Sequence, residues 1–559
     1  MRRYFRYVSI LLVAVLISGI LLTSCTQAEP TTTTSIQTTT ATQTTTATQT
    51  TTATQTSTVT TASPTSGPTG VLTVAVPNFA RGAFDPALAD SSTLKVIGFS
   101  ILDPLVGATP DGKYAPGIAE SWEFSSDGMT WTFYIRKGVK FHDGSDLTGA
   151  DVKFTIDRIY GPESQSGDAP TVRALIDNVE LKDAYTVVIH MKNPVAELWR
   201  GSTVINSSLG ILPKKYIEEQ GIEAWNKHPF GSGPWKVVQY DFGTLLELEA
   251  VENHWRQTPH FKTLIMMAVP EEATRVAMLK TGMVDIVEIS PPSVTDVESS
   301  GLRVFTYSAG NHGGMGLYYD LEHPEDYAIG DVRVRKALSL AINREEIVNF
   351  LYSGYAKPLA IFWVPPSAYF FDPNVLKPDP YDPEEAKRLL AEAGYSDGFD
   401  IKIYSVQGSD APLINEAISG YWDEIGIKST IIPIEWAAYR LMVSPKHVPA
   451  LWPSAAMYVF SGVSGFEVDI SYHSKKSFHK NHNNPILDEL MDKAMMTIDP
   501  TERISRALEA CVAIKNEYSI IGVVELDSLW GVGERIGGWA PIQGARITSY
   551  ILSTVTHAE

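Results

Sequence analysis

The hydrophobic and polar positions change period along the chain, and each change predicts an element. VLTVAVP, Val71 to Pro77, is β-branched and alternating, as a strand is. In WTFYIRKGVKF, Trp131, Phe133 and Ile135 fall on one face and Thr132, Tyr134 and Arg136 on the other, which predicts a strand with one side in a core. Asp143-Gly144 follows as a turn, and Thr148 with Asp151 forms a capping box opening a helix at Val152. Helical spacing appears further on. YDPEEAKRLLAEAGY has Asp382 as N-cap, Pro383 at the first helical position, Glu384 and Glu385 in the first turn and Gly394 as the stop. DVRVRKALSLAINREEIV puts Val334, Ala337, Leu338 and Ala341 on one face, with Asn343 capping a second helix. Strands dominate before FGSGPWKVVQYDFGTLLELEA and helices after it, so the fold class is mixed α/β.

The N-terminal pattern is of another kind. Arg2, Arg3 and Arg6 precede an apolar run from Val8 to Leu22, and Leu22-Thr23-Ser24-Cys25 has the form of a bacterial lipobox. The run is about 15 residues, short of the roughly 20 a bilayer span needs. Residues 1–24 are therefore expected to be a signal peptide and Cys25 the lipidated mature N-terminus. Residues 25–69, with TTTATQ three times in tandem and no aromatic side chain, cannot bury enough apolar surface to order themselves and read as a disordered tether. Such a chain has a root-mean-square span of roughly 35–40 Å.

Charge and cysteine narrow the partners. With 45 basic against 64 acidic residues the net charge is −19, and loss of the leading arginines makes it more acidic, which argues against nucleic acid or an anionic bilayer face. Of two cysteines, a lipidated Cys25 leaves only Cys511, so no internal disulfide forms. From Gly70 onward, at about 150 residues per domain, the chain allows two or three lobes.

His142-Asp143 invites a catalytic reading, but neighbours in a strand point to opposite faces, poor geometry for an acid-base couple. The stretch around it carries something more specific. GIAESWEFSSDGMTWTFYIRKGVKFHDGSDLTGADVKFTIDRI resembles the signature of the family-5 extracellular solute-binding proteins, the oligopeptide-, dipeptide- and nickel-type receptors of ABC importers. GSGPWKV at Gly231, ENHWRQTP at Glu252, LKTGMVDI at Leu279, DVRVRKALSLAINREEIV at Asp331, YDPEEAKRLLAEAGY at Tyr381, EIGIKS at Glu424 and NNPILDELMDKA at Asn483 follow in the family's order. The resemblance implies a two-lobed, hinged fold like that of class II periplasmic binding proteins, with an extra subdomain in the first lobe. Residues 70–107, 229–309 and 522–559 would form lobe I, 108–228 its subdomain and 310–521 lobe II, with ligand in the interlobe cleft.

Rival motifs are weaker. GATPDGKY at Gly107 spells G-x-x-x-x-G-K but has Tyr114 where a phosphate loop needs Ser or Thr, so it reads as a turn. G-x-S-x-G and H-E-x-x-H do not occur. His473, His479 and His482 lie in a polar, lysine-containing stretch that reads as a solvated loop, so no metal site is assigned. Of the twelve tryptophans, Trp363, Trp436, Trp452 and Trp530 fall outside the strong motifs. Peptide-binding relatives often carry W-x-x-D-Y-x-D-P in lobe II, whose Asp meets the peptide amine; LWPSAAMYVFSG has no Asp there. Where relatives have Asn before a turn this chain has Tyr319, and of Tyr318 and Tyr319 one is expected in the cleft and one in the core.

The resemblance implies capture of a small solute, foremost a peptide or peptide-like molecule, and delivery to an ABC permease, with no enzymatic chemistry and no cofactor. Oligosaccharide, nickel chelate and haem are the alternatives within the fold; a surface enzyme or an adhesive lipoprotein lies outside it. The expected ligand contacts are Phe79, Tyr318, Trp436, Tyr439 and Trp452, with backbone groups making most hydrogen bonds. The protein is expected to be an extracytoplasmic monomer, held to the membrane by its lipid alone.

Overall fold

The structure is a computed structural model that describes residues 67–79, 84–88, 97–109, 114–166, 169–195, 210–362, 364, 366, 368, 370–407, 410–435, 438–439, 442, 454–461, 472–475, 481–539 and 552–558. The leader, Cys25, the Thr-rich segment to residue 66, and Trp363, Trp436, Trp452 and His479 lie outside the described residues.

The strands are β1 (Val71–Val76), β2 (Val106–Ala108), β3 (Tyr114–Pro116), β4 (Ala119–Phe124), β5 (Thr130–Ile135), β6 (Ile176–Asp183), β7 (Thr186–Met191), β8 (Trp235–Asp241), β9 (Leu245–Ala250), β10 (Thr263–Ala268), β11 (Ile286–Ile289), β12 (Arg303–Tyr318), β13 (Ala356–Pro358), β14 (Phe399–Val406), β15 (Ile427–Ile434), β16 (Ser454–Ser461) and β17 (Ile520–Val532). One sheet runs β15-β14-β16-β12-β17-β11-β1-β10-β9-β8, with β13 also on β17. In β1, Leu72, Val74 and Val76 enter one core and Ala75 another on the opposite face, the two-sided burial that parallel strands require. The stretch expected to divide the halves is the β8–β9 hairpin of this same sheet.

The subdomain has its own antiparallel sheet, β4-β5-β7-β6. Trp131, Phe133 and Ile135 of β5 are buried with Val187 and Ile189 of β7, Val152 and Ile156 of the Gly149–Tyr160 helix packing in the same core. That helix opens on the expected capping box: Thr148 Oγ1 accepts from the Ala150 amide, and the Thr148 amide donates to Asp151 Oδ2 at 2.8 Å. Asp382 likewise caps Pro383–Glu392 by accepting from the Glu385 amide, and Gly394 ends the turn at φ +91°. The two ends of GATPDGKY lie in the antiparallel β2–β3 pairing, where Gly107 is opposite Ala115 and Ala108 opposite Tyr114.

His142 is a strut. Its Nε2–H donates to the Gly233 carbonyl at 2.8 Å, and its Nδ1 accepts from the Gly231 amide at 3.3 Å. The strut clasps a loop that admits no side chain, because a Cβ on Gly231 would lie 2.1 Å from the Ile101 carbonyl oxygen. Burial pushes the His142 pKa down to about 4, so the folded state holds the ring neutral. The unfolded chain takes up the proton first as pH falls below about 6.5, so this stability is fully present above that pH and lost down to about pH 4. Denaturant unfolding should show it: the parent should lose about 3 kcal/mol more than His142→Ala between pH 7 and 4.

Candidate functional site

The two longest strands, β12 and β17, pair antiparallel from end to end and belong to two cores at once. Tyr307 of β12 and Trp530 and Val532 of β17 pack with β1 and β10, whereas Met315 and Leu317 of β12 and Ile521, Val524 and Leu526 of β17 pack with β14 and the Val332–Leu340 helix. The second core thus extends to Leu526, past the boundary expected at 521/522, because β13 joins β17 over Val524–Leu526. The pairing is irregular between Ser308 and Asn311, where the first core gives way to the second.

Strand directions locate the gap between the lobes. β14 runs parallel to β15 and β16, and β12 is antiparallel to both β16 and β17, so β17 shares the direction of β14 and passes from the second lobe to the first. β11 is antiparallel to β17, and β1 is parallel to β11 and β10. The carboxyl ends of β14, β15 and β16 therefore point at the first lobe and those of β1, β10 and β11 at the second. Ligands of open α/β sheets lie beyond such ends. Asp410, just after β14, feels the field of Glu272, just after β10, which places side chains from the two edges near one another. The floor between these edges is the stretch where β12 and β17 have only each other as strand neighbours, Tyr307 and Ser308 opposite Ser528 and Asp527.

Carboxylates gather here. Glu525 is 1% exposed; Ser308 Oγ donates to its Oε1 at 2.5 Å, and its Oε2 has no hydrogen-bond partner among the described residues. Burial raises its pKa and Asp527 adds to this, against the Ser308 hydrogen bond and the Lys357 charge. Asp527 is raised by burial against Lys357, and Asp410 by burial and by Glu272. Lys357 stands opposite Glu525 on β13, and His312 opposite it on β12. Glu272 accepts from the Ser290 amide at 2.9 Å and from both the Ser290 and Ser293 hydroxyls, bracing the end of β11. None of these residues was singled out from sequence. The available signal was a Glu and an Asp inside the otherwise apolar IIGVVELDSLWGV.

The expected aromatic contacts are not assembled as one wall. Phe79 follows the gap-facing end of β1 and is buried in the first-lobe core. Tyr318 and Tyr439 are both fully buried in the second lobe, their hydroxyls 2.8 Å apart. Tyr318 is paired with Ser454, at the end of β16 remote from the gap, and leans back over Gly316. Tyr319 is buried as well, on the other face beneath the Arg335 guanidinium, so the expected split of one cleft and one core tyrosine gives way to two core residues. The solvated histidine loop is also corrected: His473 is buried between Asp488 and Asp492, each at 3.4 Å, and His482 is buried with its ring bonded to the Tyr472 carbonyl. Both brace the start of the Pro485–Met496 helix, since Asp488 also holds Ser474 and His482 Nδ1 accepts from the Asn484 amide.

With this geometry in place, comparison with known proteins is decisive. Residues 113–464 match the family model described as bacterial extracellular solute-binding proteins, family 5 Middle. The chain belongs to this family. This family-5 protein is 28% identical over 453 residues to haem-binding protein A of Haemophilus influenzae, covering 76% of this chain and 81% of that one. It is 29% identical over 359 residues to the dipeptide-binding protein of Escherichia coli, covering 58% and 64%. Among solved structures, the periplasmic binding protein DppA from Helicobacter pylori, in complex with the peptide STSA, superposes with a TM-score of 0.72 at 22% identity over 88% of this chain and 99% of that one. The two-lobed architecture is thus that of the periplasmic binding proteins.

Proposed function

We propose that the cargo is a peptide or peptide-like molecule carrying a cationic group. Family membership supplies the general activity, capture of a small solute outside the cytoplasm for an ABC importer. The observation that carries the finer reading is the charge of the gap: Glu272, Asp410, Glu525 and Asp527 border it, with Lys357 and with Arg275, 3.8 Å from Glu272, as the basic groups beside them among the described residues. Such a field favours an amine and disfavours the two propionates of haem, although a haem-binding protein is among the relatives. A neutral oligosaccharide would gain nothing from it. Trp436, which follows β15 in the sequence, is proposed as a stacking residue. Cys25 is proposed to carry the lipid that keeps a monomeric receptor near its permease.

Thermal unfolding of the full chain against tri- to pentapeptides, cello- and xylo-oligosaccharides, nickel chelates and haem tests the reading. A ligand at about 1,000 times its dissociation constant adds roughly 4 kcal/mol and moves the midpoint by several degrees. Peptides should produce the shift. A shift confined to oligosaccharides or haem would overturn the choice of cargo while leaving the receptor role intact.

A further inference from the structure

The geometry points to Glu525, on the strand shared by both lobes, as the residue that binds the cargo's amine; this rests on the reading of the cargo as a cationic peptide-like solute. Three observations lead there. Glu525 lies on β17 two residues before Asp527, beside the floor between the opposed strand ends, and its carboxylate reaches the floor residue Ser308. Its side chain is 99% buried, yet among the described residues one oxygen alone is used: Oε1 takes the Ser308 hydroxyl and Oε2 has no partner. A buried carboxylate with an idle oxygen is costly, and either a proton or an arriving cation relieves that cost.

The resident groups do not fill that role. Lys357 faces Glu525 across the β13–β17 pairing but is exposed and makes no ion pair with it among the described residues, acting only through its field. Asp527, on the same face of the strand, adds negative charge. His312, opposite on β12, packs its ring edgewise on Phe362 at 5.1 Å. An ammonium has three donors and needs more than one acceptor. Glu525 Oε2 supplies the first and the Asp527 carboxylate, on the same face of the strand, the second. Because β17 belongs to both cores, an amine held here is sensed by both lobes together.

The test uses two mixtures of tri- to pentapeptides, one with free amino termini and one N-acetylated, titrated into the full-chain parent and Glu525→Gln. The free-amine mixture should bind the parent, acetylation should weaken binding at least tenfold, and Glu525→Gln should weaken free-amine binding by ten- to a hundredfold while leaving the weak acetylated binding unchanged. The ligand-free melting temperature of Glu525→Gln should equal or exceed the parent's, since the variant removes a buried charge. Equal affinity of parent and variant for free-amine peptides would overturn the assignment while leaving the peptide reading standing. A variant that melts well below the parent without ligand would make Glu525 a scaffold residue and overturn it too. Failure of both mixtures to bind the parent would overturn the assignment together with the peptide reading.

Discussion

Replacing Asp103 by alanine should lower stability by about 3–5 kcal/mol, the range for breaking a buried ion pair by removing one partner. The fully buried carboxylate accepts from Trp255 Nε1 at 2.8 Å, Arg256 Nη2 at 3.1 Å, Ser232 Oγ at 3.2 Å and His254 Nε2 at 3.3 Å. Without it, a largely buried guanidinium and three other donors lose their shared partner. Burial alone would raise the Asp103 pKa, but the charges of His254 and Arg256 and the hydrogen bonds of His254 and Trp255 hold it at about 2. A depressed carboxyl contributes stability above its unfolded value near 3.9 and loses it as pH falls toward 2. Asp103→Asn should therefore show a smaller acid loss than the parent over that window in chemical denaturation. An Asp103→Ala protein within 1 kcal/mol of the parent would refute the account of this junction.

The second large effect lies in the other lobe. Arg344 is 3% exposed; its Nε donates to the Gly522 carbonyl at 2.9 Å, its Nη1 to the Ser339 carbonyl at 3.0 Å and its Nη2 to Ser339 Oγ at 2.8 Å. Ser339 Oγ in turn donates to Asp379, which Lys515 binds at 2.5 Å. The cluster pins the second-lobe end of β17 to the helix before Asn343. Arg344→Met should cost about 3–5 kcal/mol, because the methionine fills the volume but leaves the buried Gly522 and Ser339 carbonyls without their donor and removes a charge that Asp379 feels. Urea unfolding measures it. A loss under 1 kcal/mol would show that β17 is held by its strand pairing alone.

These two junctions show what was legible in the chain. The motifs around His142, Gly231 and His254 stand out as strings, and period and capping read off their local structure correctly at Thr148 and Asp382. Their convergence on Asp103 and on one another was not visible, because residues widely separated in sequence meet only through tertiary packing. Asn343 shows a local limit: it caps Arg344–Glu346 as expected, but the helix continues as a π turn over Ile347–Leu351. The site was less legible than the fold. Aromatic residues were the natural candidates for stacking, yet two tyrosines can satisfy each other's hydroxyls and sink into a core, as Tyr318 and Tyr439 do. A carboxylate in an apolar strand was the better signal, since burying one needs a reason and burying a tyrosine with a partner does not.

The central claim is that solute is held between the opposed strand ends above β12 and β17. The competing surface is a charged groove of about 560 Å³ between the Pro485–Met496 and Pro500–Glu517 helices, lined by Asp488, Asp492 and Arg506. Amide hydrogen exchange of the full chain with and without the free-amine peptide mixture distinguishes the two. The account predicts protection concentrated in Val76–Phe79, Ser308–Asn311, the segment from Gln407 to Asp410, and Glu525–Ser528. Protection confined to the helices of that groove, with the crossover strands unchanged, would contradict it.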